Sequence, residues 1–324
     1  MRVVILDINK IGIKAVKLNL VKLSSVLSVF AAIALIIQLP ISAAEYQLPD
    51  DKSRLIGKLQ RHTVKKGDYF QEIAEKYNVG FLALLAANPG VDPFLPAVGT
   101  DVLIPSQMLL PFIKREGIVI NLPELRLYYF LPEENKVMVF PVGIGREGLE
   151  TPRTTSYIGQ KRENPVWRPT KETRARYLAE HGEELAREVP AGPDNPFGKY
   201  ALRLGFSEYL IHGSNQRFGI GMRASSGCIR MYDNDIKWLF DHVPEKTPVH
   251  IIEQTVKMSY EKDNLRLIEI HQPLTKEGVA PKEVTVPESV KSFIGGSEHN
   301  WPLLLPYFEQ PKGVVVAIKK KGKS

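Results

Sequence analysis

One cysteine, Cys228, stands among the 324 residues, and it limits what the chain can fold into more than any other feature. A single thiol excludes an internal disulfide framework and any zinc site built from several thiolates. The hydrophobic fraction of 44% and the charged fraction of 24% are ordinary, which excludes wholesale disorder and a fibrous protein. A chain of this length is expected to form about two domains.

Residues 1–44 have the pattern of an export signal. Five basic residues lie among the first 22, and an apolar stretch at 26–37 follows them. Ser42-Ala43-Ala44 then offers small residues to a signal peptidase, so we expect cleavage after Ala44 and an exported, periplasmic protein. The alternative is an uncleaved N-terminal membrane anchor, although the apolar residues at 23–39 are few for a span of ~20 residues.

Removal of this segment also changes the charge of the chain. Residues 1–44 hold five of the 43 basic residues and one of the 36 acidic residues, so the remainder carries a formal net charge of +3 instead of +7. So small a surplus gives little electrostatic reason for binding nucleic acid. We therefore expect no nucleic-acid partner.

Residues 62–105 form a self-contained β-α-α-β pattern. Short strands at 62–64 and 102–104 enclose two helices, each with one apolar face. The apolar positions are Phe70, Ile73, Ala74, Tyr77, Phe81, Leu84 and Leu85. Asp68 is predicted to cap the first helix, because its carboxylate can accept from the free backbone N–H groups of the first turn.

This pattern resembles the LysM module, which binds N-acetylglucosamine-containing glycans such as peptidoglycan. The matching positions are Val64, Gly67-Asp68, Ile73-Ala74, Leu84, Asn88-Pro89 and 99–105. The resemblance implies a peptidoglycan-binding module at 62–105. The alternative is a docking domain that has lost glycan binding.

From Gly117 onward the sequence is rich in strand signals. Apolar runs bounded by Pro, Gly or Asn predict strands at 117–121, 125–131, 136–142, 209–212 and 249–252. Helical patterns fall at 172–188 and 233–243. The predicted fold class is therefore α+β, with a β-rich domain at 117–253. We interpret the long stretch 159–196 as a lid over a site. The mixed pattern of residues 254–324 assigns no function to this region.

Gly143-Ile144-Gly145-Arg146-Glu147-Gly148 fits the G-x-G-x-x-G pattern of dinucleotide sites. Such a site needs a helix that begins at the third glycine and presents its N-terminus to the pyrophosphate. The following residues have no apolar helical period, so we interpret the glycines as a turn that uses the free φ of glycine. Neither His-Glu-x-x-His nor Gly-x-Ser-x-Gly occurs in the sequence, and we expect no metal and no cofactor.

Cys228 lies in a polar segment of small residues. Gly227 allows the backbone to turn so that consecutive N–H groups can point at one oxygen, as an oxyanion hole requires. Arg230 supplies a positive charge that favours the thiolate, and His212, at the end of a predicted strand, can act as general base and then general acid. These parts fit acyl transfer through a thioester. The alternative is a buried structural cysteine beside a structural histidine.

The order His212-Gly213 and then Ser226-Gly227-Cys228-Ile229-Arg230 resembles the L,D-transpeptidase catalytic domain (YkuD-like, the ErfK/YbiS/YcfS/YnhG group). The resemblance covers 117–253, and its further matching stretches are 121–128, 141–145, 151–152, 164–167 and 191–196. Ser226 stands where family members often have His or Asn, so we assign it no role in proton transfer.

The resemblance implies an enzyme that acts on peptidoglycan stems with meso-diaminopimelate at the third position. Cys228 would attack the carbonyl of that residue's L-centre and expel the terminal D-alanine, while His212 moves the proton. Backbone N–H groups of Gly227 and Cys228 would hold the oxyanion, and the Gly213 carbonyl would orient the imidazole. Arg230 would steer a substrate carboxylate, favour the thiolate or support the loop.

The acceptor that resolves the thioester stays open. Another stem's diaminopimelate would give a 3→3 cross-link, and the terminal lysine of an outer-membrane lipoprotein would give a wall-anchored lipoprotein. Water would make the protein an L,D-carboxypeptidase or hydrolase, and an inactive domain would leave a glycan-binding envelope protein. Endopeptidases of the NlpC/P60 type are disfavoured because their Cys precedes their His, whereas His212 precedes Cys228 here.

Overall fold

The computed structural model describes residues 44–50, 52–276, 286, 288–294 and 301–318. The predicted export signal lies outside these ranges except for Ala44. Within the ranges, no helix is both long and apolar enough to cross a membrane.

The described ranges contain eighteen strands and six α-helices. In chain order the strands are β1 Ala44–Gln47, β2 Leu55–Gly57, β3 Gln60–Thr63, β4 Asp101–Ile104, β5 Gln107–Leu109, β6 Gly117–Asn121, β7 Arg126–Leu131, β8 Lys136–Pro141, β9 Ile144–Gly145, β10 Thr154–Glu163, β11 Tyr200–Leu204, β12 Leu210–His212, β13 Arg223–Ser225, β14 Ile229–Arg230, β15 Pro248–Ile252, β16 Val256–Tyr260, β17 Arg266–Ile270 and β18 Val315–Ile318. The helices are α1 Phe70–Lys76, α2 Phe81–Ala87, α3 Lys171–His181, α4 Asp233–His242, α5 Glu288–Phe293 and α6 Trp301–Glu309.

The N-terminal module has the expected order β3-α1-α2-β4, and β3 pairs antiparallel with β4. Its core contains the predicted apolar residues Phe70, Ile73 and Leu84, all buried. The predicted role of Asp68 is wrong. Its carboxylate accepts from the backbone N–H of Lys65 at 2.7 Å and contacts the His62 imidazole at 2.7 Å, so it closes the turn before the helix and does not cap it.

The central domain is a nine-stranded mixed sheet in the order β1-β8-β7-β6-β15-β10-β11-β12-β14. Its central strands are buried on both faces, which explains why they appear in the sequence as continuous apolar runs. On β7, Leu127 and Tyr129 face one core that also holds residues of α4, whereas Tyr128 and Phe130 face a second core. The predicted α+β class is confirmed. The last two strands of the sheet, β12 and the edge strand β14, position the candidate catalytic residues.

Three local predictions need correction. The free φ expected of the glycine turn occurs at Gly148, with a φ of 79°, but not at Gly143 or Gly145. Those two glycines are needed because a Cβ at either position would lie 2.1 Å from a backbone carbonyl oxygen. The helix predicted at 172–188 ends at His181, where Gly182 takes a φ of 74°. The stretch interpreted as a lid, 159–196, begins inside β10, so only the residues after Glu163 form an excursion from the sheet.

The C-terminal region, to which the sequence assigned no task, is a packed module. Strands β16, β17 and β18 form an antiparallel sheet, and α5 and α6 pack on it around a core of their own. The sheet residues of this core include Ile268, Ile270 and Ile318.

A buried network of charged side chains joins this module to the central sheet. Lys257 lies 2.8 Å from a Glu124 carboxylate oxygen and 3.0 Å from one of Glu269. Arg126 contacts the same two carboxylates at 3.0 and 3.1 Å, and His271 lies 2.8 Å from Glu269. Each buried carboxylate therefore has two cationic partners, which offsets the cost of removing it from water.

Candidate active site

The parallel pairing of β12 with β14 brings the predicted nucleophile and base to one edge of the sheet. Ile211 pairs with Ile229 and His212 with Arg230, so Cys228 immediately precedes β14 and His212 ends β12. Cys228 and His212 line the same cavity of about 550 Å³. Residues sixteen positions apart in the sequence thus face one space.

His212 is buried and held in one tautomer. Its Nδ1 lies 2.6 Å from the carbonyl oxygen of Gly213, and because a carbonyl only accepts, Nδ1 carries the hydrogen and Nε2 is left as an acceptor. The Phe197 ring packs on the imidazole at 4.7 Å between centroids. Burial lowers the pKa of His212 to about 3, with the Gly213 carbonyl opposing the shift and the Arg230 charge adding to it. The imidazole is neutral at pH 7.

Cys228 is protonated at pH 7 in this environment. Burial raises the pKa of the Cys228 thiol, while a backbone hydrogen bond from Leu210 and the charge of Arg230 oppose the shift. Arg230 therefore acts in the expected direction, but burial outweighs it, and the resting pair is a neutral thiol with a neutral imidazole.

The turn that carries the thiol depends on Ser225 and Gly227. Gly227 has a φ of 102°, and a Cβ there would lie 2.9 Å from the Tyr209 ring, so only glycine fits. Ser225 Oγ accepts from the Gly227 N–H at 3.1 Å and donates to the Cys228 carbonyl. The N–H of Gly227, expected to hold an oxyanion, is therefore already bonded within the turn.

Thr151 supports this turn and has no assigned role in the sequence prediction. Its buried hydroxyl donates to the Gly227 carbonyl at 2.8 Å and accepts from the Gly145 N–H at 2.9 Å. Thr151 thus connects the glycine-rich segment to the cysteine turn. Its sequence signals are its place just after that segment and the match of residues 151–152 to the L,D-transpeptidase catalytic domain.

Arg230 lies between two cavities. Its backbone N–H donates to the Gly143 carbonyl and its carbonyl accepts from the Gly143 N–H, each at 2.8 Å, which fixes the position of its Cα. Arg230 lines both the cavity of Cys228 and a second cavity of about 470 Å³. Its Nε is buried and has no hydrogen-bond partner within the described ranges. Burial lowers the pKa of Arg230, and the nearby Cys228 opposes that shift.

The excursion between β10 and β11 forms one wall of the larger cavity, and its role as a lid stays a prediction. Trp167, Arg176 and Phe197 are among its lining residues. Arg176 donates to Ser226 Oγ at 3.1 Å, so α3 contacts the cysteine turn directly. The cationic lining residues are Arg162, Arg168, Arg176, Arg203 and Arg230, and the anionic ones are Glu172 and Glu208. This excess of arginine suits a substrate that bears carboxylates.

Within the described ranges, Glu124, Glu269 and His271 form the one group of three potential ligands with closely spaced ligand atoms. Lys257 and Arg126 already contact both carboxylates, and the group lies in the buried network beneath the C-terminal module.

Comparison with known proteins identifies the family. The chain is 46% identical over 299 residues to the probable L,D-transpeptidase YcfS of Escherichia coli strain K12, covering 90% of this chain and 93% of that protein. The chain belongs to the L,D-transpeptidase family. It is also 46% identical over 266 residues to ErfK/SrfK and 45% identical over 262 residues to YbiS, both of the same strain. These matches cover 79% and 78% of this chain, and 84% and 85% of the two relatives.

Three domain families match successive parts of this L,D-transpeptidase. The LysM domain matches residues 62–105, the L,D-transpeptidase catalytic domain matches 115–251, and the L,D-transpeptidase C-terminal domain matches 255–318. The last match covers the module that the sequence prediction left without a task. The resemblance to LysM and to the L,D-transpeptidase catalytic domain is thereby confirmed.

Proposed function

We propose that this L,D-transpeptidase uses Cys228 as its nucleophile on peptidoglycan tetrapeptide stems, passing an acyl group from meso-diaminopimelate to an amine. The observation that carries the proposal is the convergence of Cys228 and a tautomer-fixed His212 on one arginine-lined cavity. No metal or cofactor takes part in the proposed reaction.

The first half-reaction forms a thioester. The thiol sulfur attacks the carbonyl carbon at the L-centre of diaminopimelate, and Nε2 of His212 takes the thiol proton. Because the resting pair is neutral, the proton moves as the bond forms, without a preformed ion pair. Collapse of the tetrahedral intermediate breaks the amide bond, and the imidazolium returns the proton to the departing D-alanine amine.

The second half-reaction breaks the thioester. An acceptor amine attacks the carbonyl carbon, His212 takes its proton, and the Cys228 sulfur leaves and is reprotonated. The backbone N–H of Cys228 is the proposed first donor to the oxyanion. The N–H of Gly227 becomes the second when it exchanges Ser225 Oγ for the developing charge.

Gly213 and Arg230 have supporting roles in this proposal. The Gly213 carbonyl holds the imidazole with Nε2 toward the cavity, and it stabilises the imidazolium when it forms. Arg230 faces the cavity beside the thiol, where its charge favours the developing thiolate and attracts a stem carboxylate.

The cellular setting follows from the other modules. A LysM domain that binds glycan strands would hold the enzyme on the sacculus, where its stem-peptide substrates lie. The predicted export signal at 1–44 would deliver the protein to the periplasm.

Product analysis tests the function and identifies the acceptor. We would incubate the protein with disaccharide-tetrapeptide and a peptide that ends in the C-terminal lysine of an outer-membrane lipoprotein, and read the products by mass spectrometry. A 3→3 dimer, a lipoprotein-peptide adduct or a free tripeptide would identify diaminopimelate, lysine or water as acceptor. We expect an amide product that Cys228→Ala abolishes. Unchanged tetrapeptide with the native protein, or turnover that survives in Cys228→Ala, would contradict the proposal.

A further inference from the structure

The LysM module contacts the catalytic domain at the two flanks of the cysteine segment. Helix α1 turns its apolar face to the module's own core, and Gln71 and Glu75, one helical turn apart, lie on a flank of that face. Glu75 accepts from Arg217 Nε at 3.0 Å. Gln71 is 2% exposed, so its side chain is enclosed between the two domains.

One side chain spans both flanks. Gln71 Nε2 donates to the Arg217 carbonyl at 3.3 Å and to the Tyr232 hydroxyl at 2.9 Å. Arg217 lies eleven residues before Cys228, and Tyr232 lies four residues after it. The amide therefore connects the beginning and the end of the segment that contains the nucleophile.

The backbones of the two domains also contact each other directly. The N–H of Leu82 donates to the Gly221 carbonyl at 3.1 Å, and a Cβ on Gly221 would lie 2.4 Å from Gly80 Cα. Leu82 packs against the core of the catalytic domain, and Met222 packs against the core of the LysM module. This exchange of side chains makes the contact a close-packed interface.

Short connections lead from this interface to the reacting groups. Met222 accepts from the Ile144 N–H at 3.0 Å, and β13 follows at once and ends at Ser225, which bonds the Cys228 turn. On the other side, Met231 donates its N–H to the His212 carbonyl at 2.9 Å, one residue before Tyr232. A shift of the interface would therefore reach both Cys228 and His212.

We propose that the LysM module is a structural part of the catalytic site, and that Gln71 is a positioning residue that holds the Arg217–Tyr232 segment in its reactive geometry. The proposal rests on the proposed function, because it assigns the nucleophile to Cys228. It predicts that damage to this interface slows chemistry even on soluble substrates, for which attachment to glycan strands is irrelevant.

The test uses variants of the full chain. Gln71→Met keeps the volume of the side chain and removes its donors, and Tyr232→Phe removes the hydroxyl on the other side of the same bond. Glu72→Gln is the matched control, because Glu72 is the exposed neighbour of Gln71 on the same helix. We would measure kcat and KM on soluble tetrapeptide, and the rate at which a carbapenem acylates Cys228.

We expect kcat and the acylation rate to fall about tenfold in Gln71→Met while KM stays within about twofold, because small misplacements of reacting groups reduce rates steeply. Glu72→Gln should match the native protein. The double variant Gln71→Met/Tyr232→Phe should be no slower than the slower single variant, because both changes remove one interaction.

Native rates in Gln71→Met, a change in KM alone, an equal loss in Glu72→Gln, or additive losses in the double variant would overturn the proposal. If Gln71→Met does not fold, as judged by thermal melting, Tyr232→Phe decides the question by the same criteria. Failure of the native protein to be acylated on Cys228 would instead refute the proposed function, so the two failures are distinguishable.

Discussion

Replacing Thr151 by valine removes one hydroxyl and leaves the shape of the side chain unchanged. Thr151 is 5% exposed, and its hydroxyl bonds the Gly227 carbonyl at 2.8 Å and the Gly145 N–H at 2.9 Å. Valine leaves both backbone groups buried and unpaired. Each such group costs about 1–3 kcal/mol, so we expect the free energy of unfolding to fall by about 2–6 kcal/mol.

The same change should slow the chemistry. Without the hydroxyl, the Gly227 carbonyl is no longer held, and the peptide between Gly227 and Cys228 can rotate away from the geometry that aims the thiol. We expect the carbapenem acylation rate of Cys228 to fall by about ten- to a hundredfold. Stopped-flow acylation measures the rate, and denaturant unfolding followed by tryptophan fluorescence measures the stability.

Thr151→Ser is the matched control. Serine keeps the hydroxyl and loses one buried methyl group, which costs about 0.8 kcal/mol. We expect it to acylate within about threefold of the native rate. The reasoning would be refuted if Thr151→Val acylated at the native rate, or if Thr151→Ser were as slow as Thr151→Val.

The remaining predictions concern the buried charge network, one carboxyl group and the cavity wall. Lys257→Met removes one of the cationic partners of Glu269 and should lower the free energy of unfolding by about 3–5 kcal/mol in denaturant titrations. Adding Glu269→Gln should recover part of this loss. An unaltered denaturation midpoint in Lys257→Met would contradict this. Burial, with the charge of Glu75 adding to it, raises the pKa of Asp235 to about 7. The native state thus keeps a proton that the unfolded chain loses above about pH 4, so the free energy of unfolding should fall from about pH 4 to 7. Asp235→Asn should flatten that slope and be more stable than the native protein by up to about 4 kcal/mol above pH 7. Melting curves across this range check the sign, and a parallel pH dependence in both proteins would refute it. Arg176→Ala removes the contact of α3 with Ser226. It should raise KM by less than about fivefold with kcat unchanged, because exposed polar contacts contribute about 1 kcal/mol or less. A fall in kcat in steady-state assays would be inconsistent with that role.

Local sequence patterns predicted much of the fold because local physics decides those elements. The spacing of Phe70, Ile73 and Ala74 places them on one helical face, and the structure buries that face. The apolar runs at 117–121 and 125–131 are strands because both of their faces are covered. Helix α4 begins at Asp233 as predicted.

Other features depend on contacts between residues far apart in the chain, which no local pattern reveals. Gln71 bonds groups 146 and 161 residues away, and Lys257 bonds Glu124 from 133 residues away. The sequence predicts a capping role for Asp68 because it does not show that His62 and the Lys65 N–H compete for its carboxylate.

The candidate site likewise combines features that the sequence predicts with features that depend on packing. The order of His212 and Cys228 and the small residues beside them predicted a shared site, and the structure places both in one cavity. The bond from the Gly227 N–H to Ser225, the support by Thr151 and the net rise of the Cys228 pKa arise from packing. Burial is a property of the whole fold, so the protonation state of the thiol could not be read from the charge of Arg230 alone.

In the proposed reaction, Cys228 carries the acyl group between donor and acceptor. The most direct measurement is intact-protein mass spectrometry after brief incubation with disaccharide-tetrapeptide, followed by peptide mapping of the modified residue. We expect one adduct with the mass of the substrate less D-alanine, located on Cys228 and absent from Cys228→Ala. An adduct on another residue, or D-alanine release by Cys228→Ala at the native rate, would contradict it.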